Sequence, residues 1–274
     1  MTDRRFLAAN ARVAAAGLEG KITGVRFVTP LPMTVAVPVL DLCASPAGAR
    51  DRQLLFGETV GQLEDHDGWS FVQSTDGYVG YVTTAALTSK TEATHRVATF
   101  ATHGYSLEDF KSPERIALNF GAKVTVLDER RKFFETTCGF IPKRHLRPLD
   151  RPFEDPATIA QLHFGVPYLW GGNSTSGIDC SGLVAAALQA CDIPCPADSD
   201  LQRQALGQDI APEQNLQRGD LIFWQGHVGM MVDAETLIHA NAHHMACTYE
   251  PLTQAIQRIA AQGDGEVLAR RRIS

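Results

Sequence analysis

The first half of the chain alternates short apolar runs with turn residues. This pattern predicts strands at residues 35–42, 51–55, 59–65, 69–73 and 77–83. Strands of this length and spacing are typical of a small barrel or sandwich. Ahead of them, the pattern predicts a helix over residues 3–18 and a β-like stretch over 24–29, forming a helical extension (residues 1–32) that packs on another part of the chain.

A second set of strands is predicted at residues 96–102, 123–127, 132–137 and 140–141. Both sets end alike, on Gly77-Tyr-Val-Gly-Tyr-Val-Thr-Thr-Ala-Ala-Leu87 and on Cys138-Gly-Phe-Ile-Pro-Lys-Arg-His-Leu146. We interpret this as an internal duplication of one barrel, over residues 33–90 and 91–150. The pattern resembles two bacterial Src-homology-3-like (SH3-like) barrels, for which a linker or scaffold role is the simpler alternative.

After a proline-rich linker, the pattern changes to helices followed by strands over residues 151–274. Helices are predicted at 156–164, directly after the glycine-rich segment 171–179, and at 251–261. Apolar strands are predicted at 221–224, from 227 onward and at 236–241. The predicted fold class is therefore α+β, with two small β-barrels followed by an α+β domain.

Composition narrows the possible partners. Of the 274 residues, 25 are Lys or Arg and 31 are Asp or Glu, and the net charge of −6 disfavours a nucleic-acid partner. No apolar run approaches the length of a membrane span. Asn10 and Arg12 interrupt what would be the apolar core of an export signal, and six cysteines without a C-x-x-C pair fit a reducing compartment. We expect a cytoplasmic protein without membrane or obligate protein partners.

Cys180 is the candidate nucleophile. A glycine-rich loop leads directly to this cysteine at the start of an alanine- and leucine-rich helix. The positive end of a helix favours the thiolate, so we expect a lowered thiol pKa. A phosphate-binding loop would need a Gly-Lys-Ser/Thr ending, which is missing. The other alternative is a buried core thiol, but Asp179, Ser181 and Gly182 are polar or small and favour an exposed turn.

Two histidines are candidates for the base and its orienting partner. His227 and His239 fall on predicted adjacent antiparallel strands, where they can lie side by side. His239 would then accept from His227 and hold the other His227 nitrogen toward Cys180. Each histidine alone could equally be a half-buried sheet residue. His243, His244 and Cys247 suggest zinc, but an adjacent histidine pair is poorly spaced on a strand, so we expect no metal and no cofactor.

These residues belong to a set of motifs with a family resemblance. The motifs are Tyr168-Leu-Trp170-Gly-Gly172, Asp179-Cys-Ser-Gly182, Gly219-Asp-Leu-Ile-Phe-Trp224, His227-Val-Gly229 and Ile238-His-Ala240. In this order they resemble the NlpC family of papain-like cysteine peptidases, which act on bacterial peptidoglycan peptides. The resemblance implies that Cys180 is the nucleophile, His227 the general base and acid, His239 the third polar residue, and Tyr168 a neighbour of the oxyanion pocket.

With two barrels ahead of it, the domain resembles more narrowly the γ-D-glutamyl-L-diamino-acid endopeptidases of murein peptide recycling. This implies short peptide substrates with a free N-terminal L-Ala. Asp198 and Ser199 match an Arg-Asp-Ser-x-x-Gln element in which Ala197 replaces the arginine. Glu58 and Tyr78 match residues that complete the amine pocket, although Glu58 could be a solvated turn acid. The implied substrate-binding residues also include Trp170, Asp179 and Ser181.

The sequence thus predicts a cysteine endopeptidase that cleaves the bond between γ-D-glutamate and diaminopimelate or lysine in short murein peptides. Three alternatives stay open. The protein could be an exported hydrolase of intact wall, a non-catalytic murein-peptide-binding module, or a transferase that passes the acyl group to an acceptor other than water.

Overall fold

The chain divides at residue 149 into two units, Met1–Leu149 and Asp150–Ser274. The computed structural model describes residues 3–273. Among these residues, no helix has both the length and the apolar character needed to cross a membrane. The predicted subdivisions 1–32, 33–90 and 91–150 fall inside the first unit except for residue 150, and they stay predictions.

The first unit begins with nine strands, seven of which form one antiparallel sheet. The strands are β1 Val13–Ala15, β2 Arg26–Val28, β3 Leu31–Val35, β4 Val39–Cys43, β5 Arg50–Leu55, β6 Thr59–His66, β7 Trp69–Ser74, β8 Val79–Thr83 and β9 Leu87–Ser89. The order in the sheet is β5-β4-β8-β7-β6-β3-β9, and a 3₁₀ turn at Thr84–Ala86 joins β8 to β9.

Eight further strands follow. They are β10 His95–Val97, β11 Ala101–Tyr105, β12 Glu114–Asn119, β13 Lys123–Val124, β14 Val126–Glu129, β15 Phe133–Thr136, β16 Gly139–Pro142 and β17 Leu146–Pro148, with a 3₁₀ turn at Lys143–His145 before the last. They form two sheets, β13-β10-β17 and β12-β11-β16-β15-β14. With β13 and β14 taken as one interrupted strand, this order repeats that of the first sheet, which supports the predicted duplication.

The predicted helix over residues 3–18 is wrong. The segment contains 3₁₀ turns at Arg4–Phe6 and Ala16–Leu18, and β1 pairs in parallel with β2. The Asn10 side chain accepts hydrogen bonds from the backbone N–H groups of Arg12 and Val13, which turns the chain where a helix would have to continue. Val13 is then buried against Phe71 of β7, so the segment packs on the first sheet.

The two strand sets meet within the first unit. The Lys123 N–H donates to the Phe56 carbonyl over 2.8 Å, and the Phe56 ring packs on the core of the second set. Gly57 has a φ of +80°, and a Cβ built there would lie 1.9 Å from the Lys123 carbonyl oxygen. Only glycine therefore fits this junction.

The second unit contains the predicted α+β pattern. Its helices are α1 Pro156–Leu162, α2 Cys180–Ala190, α3 Ser199–Ala205 and α4 Leu252–Gln262. Its strands are β18 Asn173–Ser174, β19 Gly177–Ile178, β20 Gln208–Asp209, β21 Leu221–Trp224, β22 His227–Met231, β23 Thr236–Asn241, β24 Ala246–Pro251 and β25 Ala269–Arg272. β18 and β19 pair with each other, and the rest form a sheet in the order β20-β25-β21-β22-β23-β24.

Helices α2 and α4 pack on this sheet. Helix α2 begins with Cys180, and the strands that it contacts contain His227 and His239. Helix α2 contacts β22 and β23, and α4 contacts β23 and β24. Ala255 and Ile259 of α4 share a buried core with Met231 and Leu237. Since side chains two residues apart on a strand lie on one face, His239 lies on the same face of β23 as Leu237.

Candidate active site

Asp179 caps the helix that begins with Cys180. One carboxylate oxygen accepts from the Gly182 N–H over 2.7 Å and from the Ser181 hydroxyl over 3.0 Å. The other oxygen accepts from the Gly171 N–H over 2.9 Å. Asp179 thereby ties the glycine-rich loop to the first turn of α2. This contact gives Asp179 and Ser181 a role in placing Cys180, whereas their predicted contact with substrate stays a prediction.

Close backbone packing explains why glycines surround the cysteine. A Cβ on Gly182 would lie 2.3 Å from the Gly172 carbonyl oxygen, and a Cβ on Gly172 would lie 2.5 Å from the Gly177 carbonyl oxygen. Larger residues at these positions would push the loop away from the helix. The start of α2 therefore depends on glycine at both sites.

The thiol of Cys180 is buried, contrary to the exposed turn expected from its neighbours. Burial raises its pKa to about 12, and the Asp179 carboxylate acts in the same direction. Backbone groups of Val228 and Ser181 oppose this shift but do not reverse it. The expected lowering of the thiol pKa by the helix end is therefore wrong, because removing the sulfur from water outweighs the helix dipole. Cys180 rests as a neutral thiol.

The sulfur lies beside the strand that begins at His227. Cys180 Sγ is 3.9 Å from the carbonyl oxygen of Gly226, the residue before His227. On the other side of His227, the Val228 backbone also interacts with the sulfur. The structure therefore brings Cys180, the predicted nucleophile, next to the start of β22.

The two histidines are hydrogen-bonded to each other. His227 Nε2 and His239 Nδ1 are 2.9 Å apart, and the ring centroids are 5.1 Å apart. Burial lowers the pKa of His227 to about 3, and the positive charge that His239 can carry adds to this effect. His227 is thus a neutral imidazole that can accept a proton. His239 is fully buried, and the predicted contact between the histidines is present.

Glu250 lies on the other side of His239 and was not among the predicted site residues. Its carboxylate oxygen Oε2 is 3.0 Å from His239 Nε2. Arg258 of α4 donates to both carboxylate oxygens, over 2.9 Å to Oε1 and 2.7 Å to Oε2. Thr248 pairs with His239 across the strands, and Glu250 is two residues further along β24 on the same face. The sequence shows neither the strand β24 nor its register, so it does not point to this acid.

Tyr168 lies close to Cys180. Burial raises the pKa of its hydroxyl to about 12, and the proximity of Cys180 and Asp179 contributes to the shift. Its backbone N–H donates to the Met245 carbonyl over 3.0 Å, which fixes the residue against the turn after β23. A phenol that stays protonated can donate a hydrogen bond to an oxyanion, the role that the resemblance implies for it.

The first residues of α3 are linked to the start of α2. Asp198 is the N-cap residue of α3 and Ser199 its first residue. Gln202, one turn further on, is fully buried and donates from Nε2 to the carbonyl oxygens of Ser181 and Pro196, over 2.9 Å each. Gln202 thereby holds the α3 segment next to the residue that follows Cys180. That Asp198 and Ser199 bind substrate stays a prediction.

The remaining predicted binding residues have different surroundings. The Trp170 side chain is 71% exposed, which leaves its ring accessible to a ligand. In the first unit, the Tyr78 ring is buried, and the Arg52 guanidinium lies 5.7 Å from its centroid. Burial raises the pKa of Glu58, and Arg52 opposes this shift. Glu58 is half-buried, and its predicted part in amine binding stays a prediction.

One group of possible metal ligands exists among the residues that the structure describes. Ligand atoms of His239, His244 and Glu250 lie within 4.8 Å of one another. However, His239 Nε2 and the Glu250 carboxylate are already hydrogen-bonded to each other, and the Arg258 guanidinium occupies both carboxylate oxygens. A fixed positive charge at this position opposes the binding of a cation.

A cysteine at the start of a helix, followed along the chain by histidines on an antiparallel sheet, is the arrangement found in papain-like cysteine hydrolases. Residues 165–260 match the NlpC/P60 family, and residues 42–87 match the family described as bacterial dipeptidyl-peptidase Sh3 domain. The chain therefore carries an NlpC/P60 cysteine peptidase domain together with a bacterial SH3 domain, as the resemblance implied.

Two relatives match nearly three quarters of the chain. The chain is 26% identical over 230 residues to a gamma-D-glutamyl-L-lysine dipeptidyl-peptidase of Bacillus subtilis, covering 74% of this chain and 76% of that protein. It is 24% identical over 229 residues to a protein of the same name from Bacillus cereus, covering 71% and 68%. The crystal structure of an NlpC/P60 family protein from Bacillus cereus has the same fold, with a TM-score of 0.75, 20% identity and coverage of 88% and 99%.

Proposed function

We propose that this protein hydrolyses the bond between γ-D-glutamate and the diamino acid, diaminopimelate or lysine, in short murein peptides that have a free N-terminal L-Ala. The observation that carries the proposal is the placement of Cys180 at the start of α2, with its sulfur 3.9 Å from the carbonyl oxygen of Gly226, next to His227, which is hydrogen-bonded to His239 over 2.9 Å. The bond specificity is supported by the similarity to the two Bacillus proteins known as gamma-D-glutamyl-L-lysine dipeptidyl-peptidases.

Hydrolysis begins with proton transfer inside the site. Since burial keeps the Cys180 thiol protonated, His227 takes this proton as the sulfur attacks the γ-glutamyl carbonyl carbon. His227 then gives the proton to the departing amine of the diamino acid. Water attacks the thioester with His227 again as base, which releases the dipeptide and restores the thiol.

The tetrahedral intermediates carry a negative oxygen that needs hydrogen-bond donors. The backbone N–H of Cys180 belongs to the first turn of α2, where such groups have no partner within the helix. The Tyr168 hydroxyl remains protonated at neutral pH and can supply a second donor. We propose that these two groups form the oxyanion pocket.

The proposed role is recycling of wall peptides in the cytoplasm, with the free amine of L-Ala as the feature that selects short substrates. Within the second unit, Asp198 is the acid that would bind this ammonium. The second strand set, residues 95–148, is proposed to be another SH3-like barrel because its strand order repeats that of the first.

The experiment is digestion of L-Ala-γ-D-Glu-diaminopimelate and L-Ala-γ-D-Glu-L-Lys, each with a free and with an acetylated N-terminus, followed by mass spectrometry. The proposal predicts the dipeptide L-Ala-D-Glu and the free diamino acid from the unmodified peptides and far slower cleavage after acetylation. Equal cleavage of acetylated peptides, or of intact sacculi, would contradict the recycling role and favour a hydrolase of the wall itself.

A further inference from the structure

Glu250 and Arg258 extend the line of hydrogen bonds that begins at His227. The line runs from His227 Nε2 to His239 Nδ1 over 2.9 Å and from His239 Nε2 to Glu250 Oε2 over 3.0 Å. It ends at Arg258, which donates two hydrogen bonds to the Glu250 carboxylate. His239 and Glu250 are both buried, so water does not compete for these contacts.

The charge of Glu250 fixes which atoms carry protons. Burial alone would raise the pKa of Glu250, but the hydrogen bonds from Arg258 and His239 outweigh burial and hold the pKa below its usual range. An ionised carboxylate can only accept hydrogen bonds. His239 is neutral, since burial lowers its pKa, and its single ring proton must therefore lie on Nε2, facing Glu250.

This placement determines the tautomer of His227 as well. With its proton on Nε2, His239 can only accept at Nδ1. The hydrogen bond between the histidines then requires the proton of neutral His227 to lie on its Nε2. The remaining ring nitrogen of His227, Nδ1, is left without a proton and can act as a base.

We propose that Glu250, held by Arg258, is a positioning residue of the peptidase that sets the tautomer of His239 and thereby keeps Nδ1 of His227 free to take the Cys180 proton. The inference rests on cysteine peptidase chemistry and not on the identity of the substrate. Without Glu250, His239 could carry its proton on Nδ1 and donate to His227 Nε2. The His227 proton would then move to Nδ1 and block the base.

The first test is read from the wild-type protein, and variants serve only to assign its signals. Nitrogen-15 NMR of the histidine side chains in the full-length wild-type protein at neutral pH distinguishes the two tautomers of a neutral imidazole. The proposal predicts protonated Nε2 and unprotonated Nδ1 for both His227 and His239, assigned with the single variants His227→Gln and His239→Gln. A wild-type His227 with its proton on Nδ1 would overturn the proposal.

The second test removes the carboxylate. Glu250→Ala is expected to lower kcat about 100-fold with little change in KM, since an orienting carboxylate affects the base and not substrate binding. Glu250→Gln keeps the side-chain volume but offers one oxygen to three donors, His239 Nε2 and two nitrogens of Arg258. We expect its kcat to be about 10-fold below that of the wild type. The control is Glu266→Ala, which removes the same charge from an exposed position of the same unit and should leave kcat unchanged.

A purely structural role for Glu250 predicts a different outcome. It would lower the melting temperature and the concentration of active enzyme but leave the kcat of the folded fraction and the histidine tautomers unchanged. The rate of Cys180 alkylation by iodoacetamide, followed by peptide mass spectrometry, measures how well His227 removes the thiol proton. This readout needs no peptide substrate. Folded Glu250→Gln protein that keeps the wild-type alkylation rate and wild-type tautomers would overturn the proposal.

The two proposals can fail separately. If the murein tripeptides are not cleaved, the proposed function is wrong, but the tautomers and the alkylation rate still test the role of Glu250. If the tripeptides are cleaved and Glu250→Gln behaves as the wild type in both readouts, only the role of Glu250 is wrong.

Discussion

His227 Nε2 and His239 Nδ1 lie 2.9 Å apart in the second unit, and burial keeps both imidazoles neutral at physiological pH. The contact leaves one nitrogen of His227 for the proton of Cys180. A neutral thiol beside a neutral base means that proton transfer occurs during the reaction and not before it.

The contribution of His239 can be measured by substitution. His239→Ala removes the partner of His227 Nε2, and we expect kcat to fall by at least about 100-fold. His239→Asn offers an amide oxygen that can accept the same hydrogen bond and should restore part of the rate. Steady-state kinetics of folded variants provide the measurement. Equal rates for the alanine and asparagine variants would contradict an orienting role.

The protonation state of Cys180 predicts how its reactivity depends on pH. Because burial raises the thiol pKa to about 12, the thiolate fraction should increase with pH throughout the range from 5 to 9. In a folded His227→Gln variant, which lacks the base, the rate of iodoacetamide alkylation, determined by peptide mass spectrometry, should therefore rise steadily with pH and show no acid plateau. A constant rate from about pH 5 upward in this variant would contradict the raised thiol pKa.

Stability should fall on the acid side of neutrality. Burial lowers the pKa values of His163, His227 and His239 in the folded protein, while unfolded histidine has a pKa of about 6.5. Below about pH 6.5 the unfolded chain binds more protons than the folded one, so the free energy of unfolding decreases as the pH falls. Each histidine contributes about 1.4 kcal/mol per pH unit between its two pKa values.

Urea denaturation of the protein between pH 7 and pH 5 measures this decrease. The variant His163→Gln removes one of the three groups without touching the reacting residues, and its stability should depend less steeply on pH. An identical slope in the variant and the wild type would contradict a neutral, buried His163.

The junction of the two strand sets should not tolerate a side chain at Gly57. Gly57→Ala places a Cβ against the Lys123 carbonyl oxygen at a positive φ, and we expect a loss of about 3 kcal/mol in the free energy of unfolding. Gly17→Ala is the matched control because a Cβ there has no heavy atom within 4 Å. Equal stability of the two variants would contradict the close packing at this junction.

Local patterns in the sequence predicted much of the second unit. The helix Cys180–Ala190 and the strands beginning at His227 and Thr236 have the predicted positions, since their apolar periodicity and flanking glycines agree with their tertiary environment. The helix predicted over residues 3–18 failed because the Asn10 turn and burial on the first sheet outweigh local helix preference.

Long-range contacts account for what the sequence did not reveal. Arg272 is near the end of the chain, yet its guanidinium bonds the buried Asp220 carboxylate and holds β25 beside β21. Glu250 likewise meets His239 only through strand register. The thiol pKa was mispredicted for a similar reason, because the burial of Cys180 depends on residues far away in sequence.

In the proposed mechanism, Cys180 forms a covalent acyl intermediate with the γ-glutamyl group. Rapid acid quenching of the full-length enzyme with L-Ala-γ-D-Glu-diaminopimelate, followed by peptide mass spectrometry, tests it directly. We expect a mass increase equal to the L-Ala-D-Glu acyl group on the peptide that contains Cys180, and no turnover by a folded Cys180→Ala variant. Turnover by that variant at the wild-type rate would contradict it.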